Sequence, residues 1–421
     1  MTALWPYLIP PSSHGDDRLC AIGAHGHRVT FADGRTVLDG DSGLWNVNLG
    51  YNNPRIADAV AEAARHASYL GSFRFENVYA RRAAEDLVRV CGPDHYSRVI
   101  FSTGGGVAND AVMKLARLHH ALQGAPQRNL IVSLRNSFHG LTFGGFALTG
   151  EDLGQRVYGI DQRLIRHVTP NDTAELGRLM AALGRQVAAV IVEPVVGTGT
   201  VPLDEEFVAA LVGLRDEHGF LLVADEVATG FGRTGSYFAS ESWPGLPDVL
   251  VTSKGLTNGV CPASALVLSH RVAEALTEHD TVFAHAETQG ATALAGAAIS
   301  ATIAEMERLD AVAAGRDVAA WLHRELTGLV DRHPLVAEAT GTGCFRSLRV
   351  VRPDGGELTG VDVGGLVTRI REAGAIVHPG PSGIQLVPAL TYRREEVTEL
   401  VTCVEAGLES LLPAAAQASR S

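Results

Sequence analysis

Of the 35 basic residues in this 421-residue chain, only Lys114 and Lys254 are lysines. Arginine replaces lysine at little cost on most surfaces, but a guanidinium does not lose its proton in a protein. A lysine retained in so arginine-rich a chain is therefore a candidate wherever a neutral primary amine is needed. Lys254, in Ser253-Lys254-Gly255, follows the apolar run DVLVT. At a strand end in apolar surroundings a lysine can give up its proton and attack an aldehyde; an exposed surface lysine is the plain alternative. Asp225 closes another apolar run, FLLVA. An acid is costly to bury there unless paired. It can keep a pyridinium nitrogen protonated and so make the ring an electron sink, though a helix cap or a structural ion pair would also account for it. The separation, 254 − 225 = 29 residues, suits one crossover between neighbouring strands. Thr103-Gly104-Gly105-Gly106-Val107-Ala108-Asn109 follows a third apolar run and opens a helical pattern. Glycines at a helix N-terminus let backbone N–H groups approach an anion such as phosphate, and an empty strand-to-helix turn is the alternative. Taken together, the three features ask for one ligand with a phosphate, a basic ring nitrogen and an aldehyde. Pyridoxal 5′-phosphate (PLP) is the obvious candidate.

The elements that must hold these residues are legible as short apolar runs alternating with amphipathic stretches. RVIFST, NLIVSL, AAVIVEPV, FLLVADEV and DVLVTSKG predict buried parallel strands, and AVMKLARLHHAL and EEFVAALVGLRDEH predict crossover helices. The fold class expected is α/β, a mainly parallel sheet flanked by helices, with sites at the C-terminal strand ends. One long helical stretch, residues 304–333, is expected to lead into a smaller α/β C-terminal domain. The expected organisation is an N-terminal segment at 1–50 packing on that small domain, a large cofactor-binding domain at 51–305, the small domain at 306–412 and a disordered tail at 413–421. FADGRTVLDG carries a hairpin signal in its Asp33-Gly34 pair.

Composition narrows the function classes. A formal net charge of −12 argues against a broad nucleic-acid surface. No apolar run reaches the roughly 20 residues of a membrane span, and the N-terminus has no signal-peptide pattern. Five scattered cysteines without a CxxC read as free thiols, and the expected location is the cytoplasm. The pairs His25/His27 and His119/His120 lack the spacing and acids of a metal site, so no metal is expected.

Several motifs, in order, resemble the class III, or omega, PLP-dependent aminotransferases of fold type I, from about Cys20 to Pro413. VADEVATGFGRTG (223–235) is similar to that family's aspartate-strand signature and TSKGLTNGVCPASALVLS to its lysine motif. SFHG (137–140) resembles its ring-stacking motif and VIVEPVVGTG (190–199) its Glu-Pro strand. DSGLWNVNLGY (41–51) resembles the pocket segment of the branch acting on simple amines. The resemblance implies PLP held by Lys254, which also moves the proton of the 1,3-shift, and Asp225 paired with the ring nitrogen. It places Phe138 and Val227 on opposite ring faces, His139 behind Asp225, and Glu193 near the cofactor. Gly105, Gly106 and Val107 would meet the phosphate. Thr288 would reach the phosphate of a neighbouring subunit, implying a homodimer with shared sites, and Trp45 would line the substrate pocket.

The chain also departs from that family. Its phosphate loop lacks the usual hydroxyl and glutamate, so weaker cofactor retention is expected. The arginine that forks onto an α-carboxylate is replaced by Gln385, and its glutamate partner by Thr198. Where amine-specific members carry a mobile arginine before a proline, this chain has His378-Pro379. The expected substrate is therefore an amine, aldehyde or ketone without an α-carboxylate. The chain also brings to mind the aminotransferases of daptide-type clusters, so the C-terminal ketone of a modified ribosomal peptide is among the acceptors. Arg74 or Arg346 taking over carboxylate binding is the competing reading. A small-molecule ω-amino acid or amine:pyruvate aminotransferase, an aminomutase or racemase, and a non-catalytic subunit are the rival functions.

Overall fold

The computed structural model describes residues 2–412, so the tail expected to be disordered lies outside them. The chain opens with three antiparallel strands, β1 (Ala21–His25), β2 (Arg28–Phe31) and β3 (Thr36–Asp39). The turn between β2 and β3 uses Gly34 at φ +86°.

The central sheet contains β4 (Tyr96–Ser102), β5 (Leu130–Leu134), β6 (Ile165–Val168) and β7 (Val187–Val192). After a short hairpin, β8 (Val195–Val196) with β9 (Val201–Pro202), it continues through β10 (Leu221–Asp225), β11 (Val249–Thr252) and β12 (Ser264–Ser269). Its order is β4-β12-β11-β10-β7-β5-β6. β12 runs antiparallel to both neighbours, and the other pairings are parallel. Every residue of β5, β7, β10 and β11 is buried, which is why these strands read as unbroken apolar runs. The α/β class expected from the sequence is the one found. The helix Glu205–His218 starts where Asp204 accepts from Phe207 N at 2.7 Å and stops at Gly219 in the left-handed region.

The remaining strands are β13 (Val336–Thr342), β14 (Phe345–Val350), β15 (Ala375–Ile376), β16 (His378–Gly380) and β17 (Gly383–Leu386). Four of them form a sheet in the order β13-β14-β17-β16, while β15 pairs in parallel with β3. His27 meets Glu396 at 3.0 Å and Thr391 at 2.9 Å, and Arg28 meets Glu399 at 2.6 Å. The N-terminal strands thus rest on the C-terminal helix Arg394–Glu409.

Three expectations change in detail. The helical stretch at 304–333 is two helices, Ala293–Arg308 and Ala311–Arg332, broken at Asp310 with φ 44°. An aspartate tolerates that conformation better than most residues, and the boundary expected at residue 305 falls within the first helix. Lys254 does not end a strand: β11 stops at Thr252, and Lys254 opens a single 3₁₀ turn. Lys114 is exposed, and its Nζ donates to Ala284 O at 2.7 Å rather than entering a site. All five cysteines are unpaired. Among the described residues there is no cluster of three metal-ligating groups and no helix long and apolar enough to cross a membrane.

Under the central sheet, in the helix Gly105–Leu122, His119 is fully buried, and neither ring nitrogen has a hydrogen-bond partner. Burial pushes its pKa down to about 4, with the neighbouring His120 and Arg271 adding to the effect. The neutral ring is the form that folds, and the unfolded chain takes up the proton at about 6.5. His119 therefore supports the fold fully above about pH 6.5, and that support is lost as pH falls toward about 4. The melting temperature of a His119→Leu variant should fall less between about pH 8 and about pH 5 than that of the parent. Equal slopes would show that His119 does not titrate in this way.

Candidate active site

The ends of β4, β5, β10 and β11 converge on one buried carboxylate. Asp225 closes β10 and is 2% exposed. Its Oδ2 lies 2.7 Å from His139 Nδ1 and accepts from Asn109 Nδ2 at 2.8 Å, while Oδ1 accepts from Val227 N at 3.1 Å. Ser133, on β5, meets the far side of the His139 ring at 2.9 Å. Burial alone would push the His139 imidazole down; the hydrogen bond and charge of Asp225, with Glu193 adding, reverse the sign and raise it. Asn109 was not singled out as a site residue from the sequence. Its signal is its place one helical turn after Gly105, on the face turned toward the sheet.

The helix Gly105–Leu122 begins behind an extended Gly104, and no side chain caps it. Its first internal hydrogen bond runs from Ala108 N to Gly104 O, so the N–H groups of Gly105, Gly106 and Val107 have no acceptor in the chain. The space in front of them is kept open by small residues. A Cβ on Gly105 would stand 3.0 Å from Val227, and one on Gly140 (φ +113°) would stand 2.4 Å from the Gly106 backbone. Ser264 on β12 pins Gly104 O at 3.0 Å, and Thr142 lies 3.1 Å from Gly106 O. The lost hydroxyl and glutamate are thus not replaced by another side-chain cap.

Lys254 keeps a little accessible surface but lies deep in the protein, with its Nζ 4.3 Å from the centroid of the Trp45 ring. Its Nζ forms no hydrogen bond among the described residues. Burial pushes its amine down to about 8, with Arg233 adding, against the charges of Glu193, Asp225 and Asp41. Its backbone is in the left-handed region at φ 42°. The next position must be glycine, because a Cβ on Gly255 would meet Asn48 at 2.7 Å and Phe231 at 3.0 Å. Glu193 is wholly buried and accepts from Phe138 N at 3.0 Å and Gly197 N at 3.1 Å. Burial, with the charge of Asp225, raises it to about 7. Phe138 is partly exposed, next to this bond.

The pocket wall beyond Lys254 comes from the N-terminal segment and the C-terminal sheet. Ser42, Gly43, Leu44 and Trp45 all have positive φ, from 47° to 67°. Such a left-handed turn costs each non-glycine residue roughly 1–2 kcal/mol. Asp39 holds it by accepting from Asp41 N, Gly43 N and Tyr51 Oη at 2.6–3.0 Å. Trp45 packs edge-on against Phe345 at 4.9 Å and His378 at 5.2 Å. His378 and Gln385 are cross-strand neighbours on β16 and β17. Gln385 is buried, and its Nε2 donates to Gly197 O at 2.5 Å. Thr198 donates to Glu151 Oε2 at 3.1 Å, and His378 Nδ1 lies 3.4 Å from Asp41.

The structure therefore brings together Lys254, Asp225, His139, Glu193, Val227, Gly105, Gly106, Val107, Trp45, His378, Gln385 and Thr198. Arg346 stands apart: it is on β14 one residue from Phe345, so it faces the other side of the sheet, where it meets His323 at 3.2 Å. Arg74 is exposed on the loop before the helix Val78–Cys91. Arg233 is fully buried and donates to Pro388 O at 2.5 Å, Val387 O at 3.3 Å and Asn48 Oδ1. Thr288 is exposed on a loop tied down by Tyr69 Oη, which donates to its carbonyl at 2.8 Å.

Three acceptor-less N–H groups, a buried carboxylate with two side-chain donors and an amine near neutrality fit the phosphate, ring nitrogen and aldehyde of PLP. Comparison with known proteins agrees. The sequence profile of the family described as "Aminotransferase class-III" matches residues 12–408. The acetylornithine aminotransferase of Bacillus subtilis (strain 168) is 30% identical, over 90% of this chain and 92% of its own. The PLP-bound amine transaminase of an uncultivated Pseudomonas species superposes with a TM-score of 0.93 at 29% identity, covering 98% of this chain and 99% of that one. An (S)-enantioselective omega-transaminase from Thermomicrobium roseum gives 0.92 at 28%, covering 98% and 97%. The chain belongs to the class-III aminotransferases, enzymes of fold type I that work with pyridoxal 5′-phosphate on an amine donor and a carbonyl acceptor.

Proposed function

We propose that the enzyme moves amino groups between amines and ketones or aldehydes that carry no α-carboxylate. The observation that supports this most directly is Gln385. Its neutral amide is spent on Gly197 O, where an arginine would be needed to fork onto a carboxylate. The other cations near the pocket are committed elsewhere: Arg233 to carbonyls and Arg346 to His323. The similar structures of an amine transaminase and an omega-transaminase favour amines within this class.

Bound here, PLP supplies an aldehyde that accepts amino groups and a ring that withdraws electrons from the substrate carbon. In this reading Lys254 would hold the cofactor, and its amine would serve as the base and acid that moves the proton of the substrate carbon. Asp225, held in place by His139 and Asn109, would face the ring nitrogen and keep its proton there. Phe138 and Val227 would confine the ring, and Gly105, Gly106 and Val107 would hold the phosphate. Glu193 keeps Phe138 and Gly197 in place. Trp45, Thr198, His378 and Gln385 shape the pocket.

Thr288 completing the phosphate site of a second copy is part of the same proposal. Its loop and the loop carrying exposed Tyr69, Phe73 and Phe75 flank a groove of about 740 Å³ beside the edge strand β4. A homodimer would cover both. Light scattering should give a dimer, and Thr288→Val should raise the PLP dissociation constant by roughly tenfold, the scale of one hydrogen bond to a charged group. An unchanged constant would remove Thr288 from the site.

The substrate reading is tested with a panel of amines, ketones, a C-terminal peptide ketone and α-keto acids, scored by cofactor absorbance. Ketones and aldehydes should outperform α-keto acids as acceptors; pyruvate or 2-oxoglutarate serving best would overturn the reading. The donor alone should also leave the aminated cofactor and free ketone, which an aminomutase or racemase would not accumulate. Lys254→Ala should abolish the band at ~410–430 nm and lower turnover by about 10²–10⁴. In the parent, capture of added PLP should speed up with pH through about 8, where the Lys254 amine loses its proton, and level off above. A midpoint near the ordinary lysine value would contradict the assignment.

A further inference from the structure

One acid in the pocket wall has no part in holding the cofactor. Glu151 follows a turn in which Gly150 N and Glu151 N both donate to Ser137 O, at 2.9 and 3.2 Å. This places it beside Phe138, the next residue. From the other side Thr198 reaches its carboxylate at 3.1 Å. Thr198 in turn follows Gly197, whose α-carbon faces both the Trp45 ring and Glu193. Glu151 thus stands where two pocket-wall segments meet. It is only partly buried and forms no ion pair among the described residues.

Among the described residues no cation of the wall pairs with this carboxylate. Gln385 contributes no cation, and its donor is spent on Gly197 O. Arg233 and Arg346 are engaged elsewhere. Asp41 has His378 beside it, whereas the Glu151 carboxylate has only the Thr198 hydroxyl among the described residues. A carboxylate at this point repels an anionic substrate and attracts a cationic one.

We infer that Glu151 binds a second ammonium group on the amine substrate, making the enzyme selective for diamines. The reacting amine goes to Lys254 while the far ammonium replaces solvent at Glu151. The inference rests on the reading that the substrate carries no α-carboxylate, and it makes Glu151 a specificity-determining residue rather than a catalytic one.

The test compares putrescine, cadaverine and hexamethylenediamine with butylamine, pentylamine and hexylamine as donors to the PLP-loaded enzyme. The parent should favour the best diamine over its monoamine by roughly tenfold or more in kcat/KM, the scale of one hydrogen bond to a charged group. Glu151→Gln still accepts from Thr198 but has lost the charge. It should raise KM for that diamine by a similar factor with kcat held, the mark of binding lost equally from ground and transition states, and should leave monoamines within about twofold. Glu151→Asp should keep part of the preference. No preference in the parent, or an equal loss for both donor classes in Glu151→Gln, would overturn the inference while leaving the α-carboxylate reading intact. If an α-amino acid reacts and neither class of amine does, both fall.

Discussion

The site depends on the need to satisfy one carboxylate buried inside a sheet. Asp225 ends the middle strand of the seven and is almost fully buried. An isolated charge there would be prohibitive, so it must have donors. It takes them from separate segments: His139 from the chain after β5, Asn109 from the helix after β4, and Val227 from its own turn. Satisfying one charge therefore fixes three segments against each other. Gly105 is four residues before Asn109, about 6 Å along the helix axis. Holding Asn109 also sets where the bare N–H groups stand relative to Asp225, and the spacing between those N–H groups and the carboxylate is built into a single helix.

Lys254 is governed by the opposite requirement. A useful amine must be able to lose its proton, yet three carboxylates lie within electrostatic reach of it. Burial outweighs them and brings the amine near neutrality. Trp45 contributes to that burial, and its position is costly: three non-glycine residues sit in the left-handed region around it. Asp39 offsets the strain with three hydrogen bonds, and burial raises that acid too. The strain is stored in the wall that faces the Lys254 amine, where such conformations are found when a side chain must be aimed.

Much of this was legible in the sequence, for physical reasons that also mark where legibility stops. β5, β7, β10 and β11 are buried on both faces and therefore appear as unbroken apolar runs. Asp225 and the glycines of residues 104–106 stood out because each violates what its neighbours would prefer. β12 was read only as part of the lysine motif, because its antiparallel direction leaves no local trace. The break at Asp310 was missed because helical periodicity continues across it. Asn109 and Glu151 matter through partners far away in the chain, Asp225 and Thr198, and neither carries a local pattern. Arg346 and Phe345 are adjacent in sequence but on opposite faces of β14, so only the sheet could show which of them enters the pocket.

The same long-range logic accounts for the paired departure at Gln385 and Thr198. An arginine at 385 would bring a buried guanidinium beside Gly197 O, and one carbonyl does not satisfy a charge in that setting. A glutamate at 198 would balance it, but in this chain Thr198 already donates to Glu151, and a carboxylate there would face another. Neither position can take up the carboxylate-binding residue alone without leaving a charge unpaired or two charges opposed. The neutral amide and the hydroxyl are mutually consistent: each donates to an acceptor on the wall, Gly197 O and Glu151. The wall that results has the donors of Gln385 and Thr198 consumed internally, which leaves neither side chain free to fork onto a carboxylate as an arginine would.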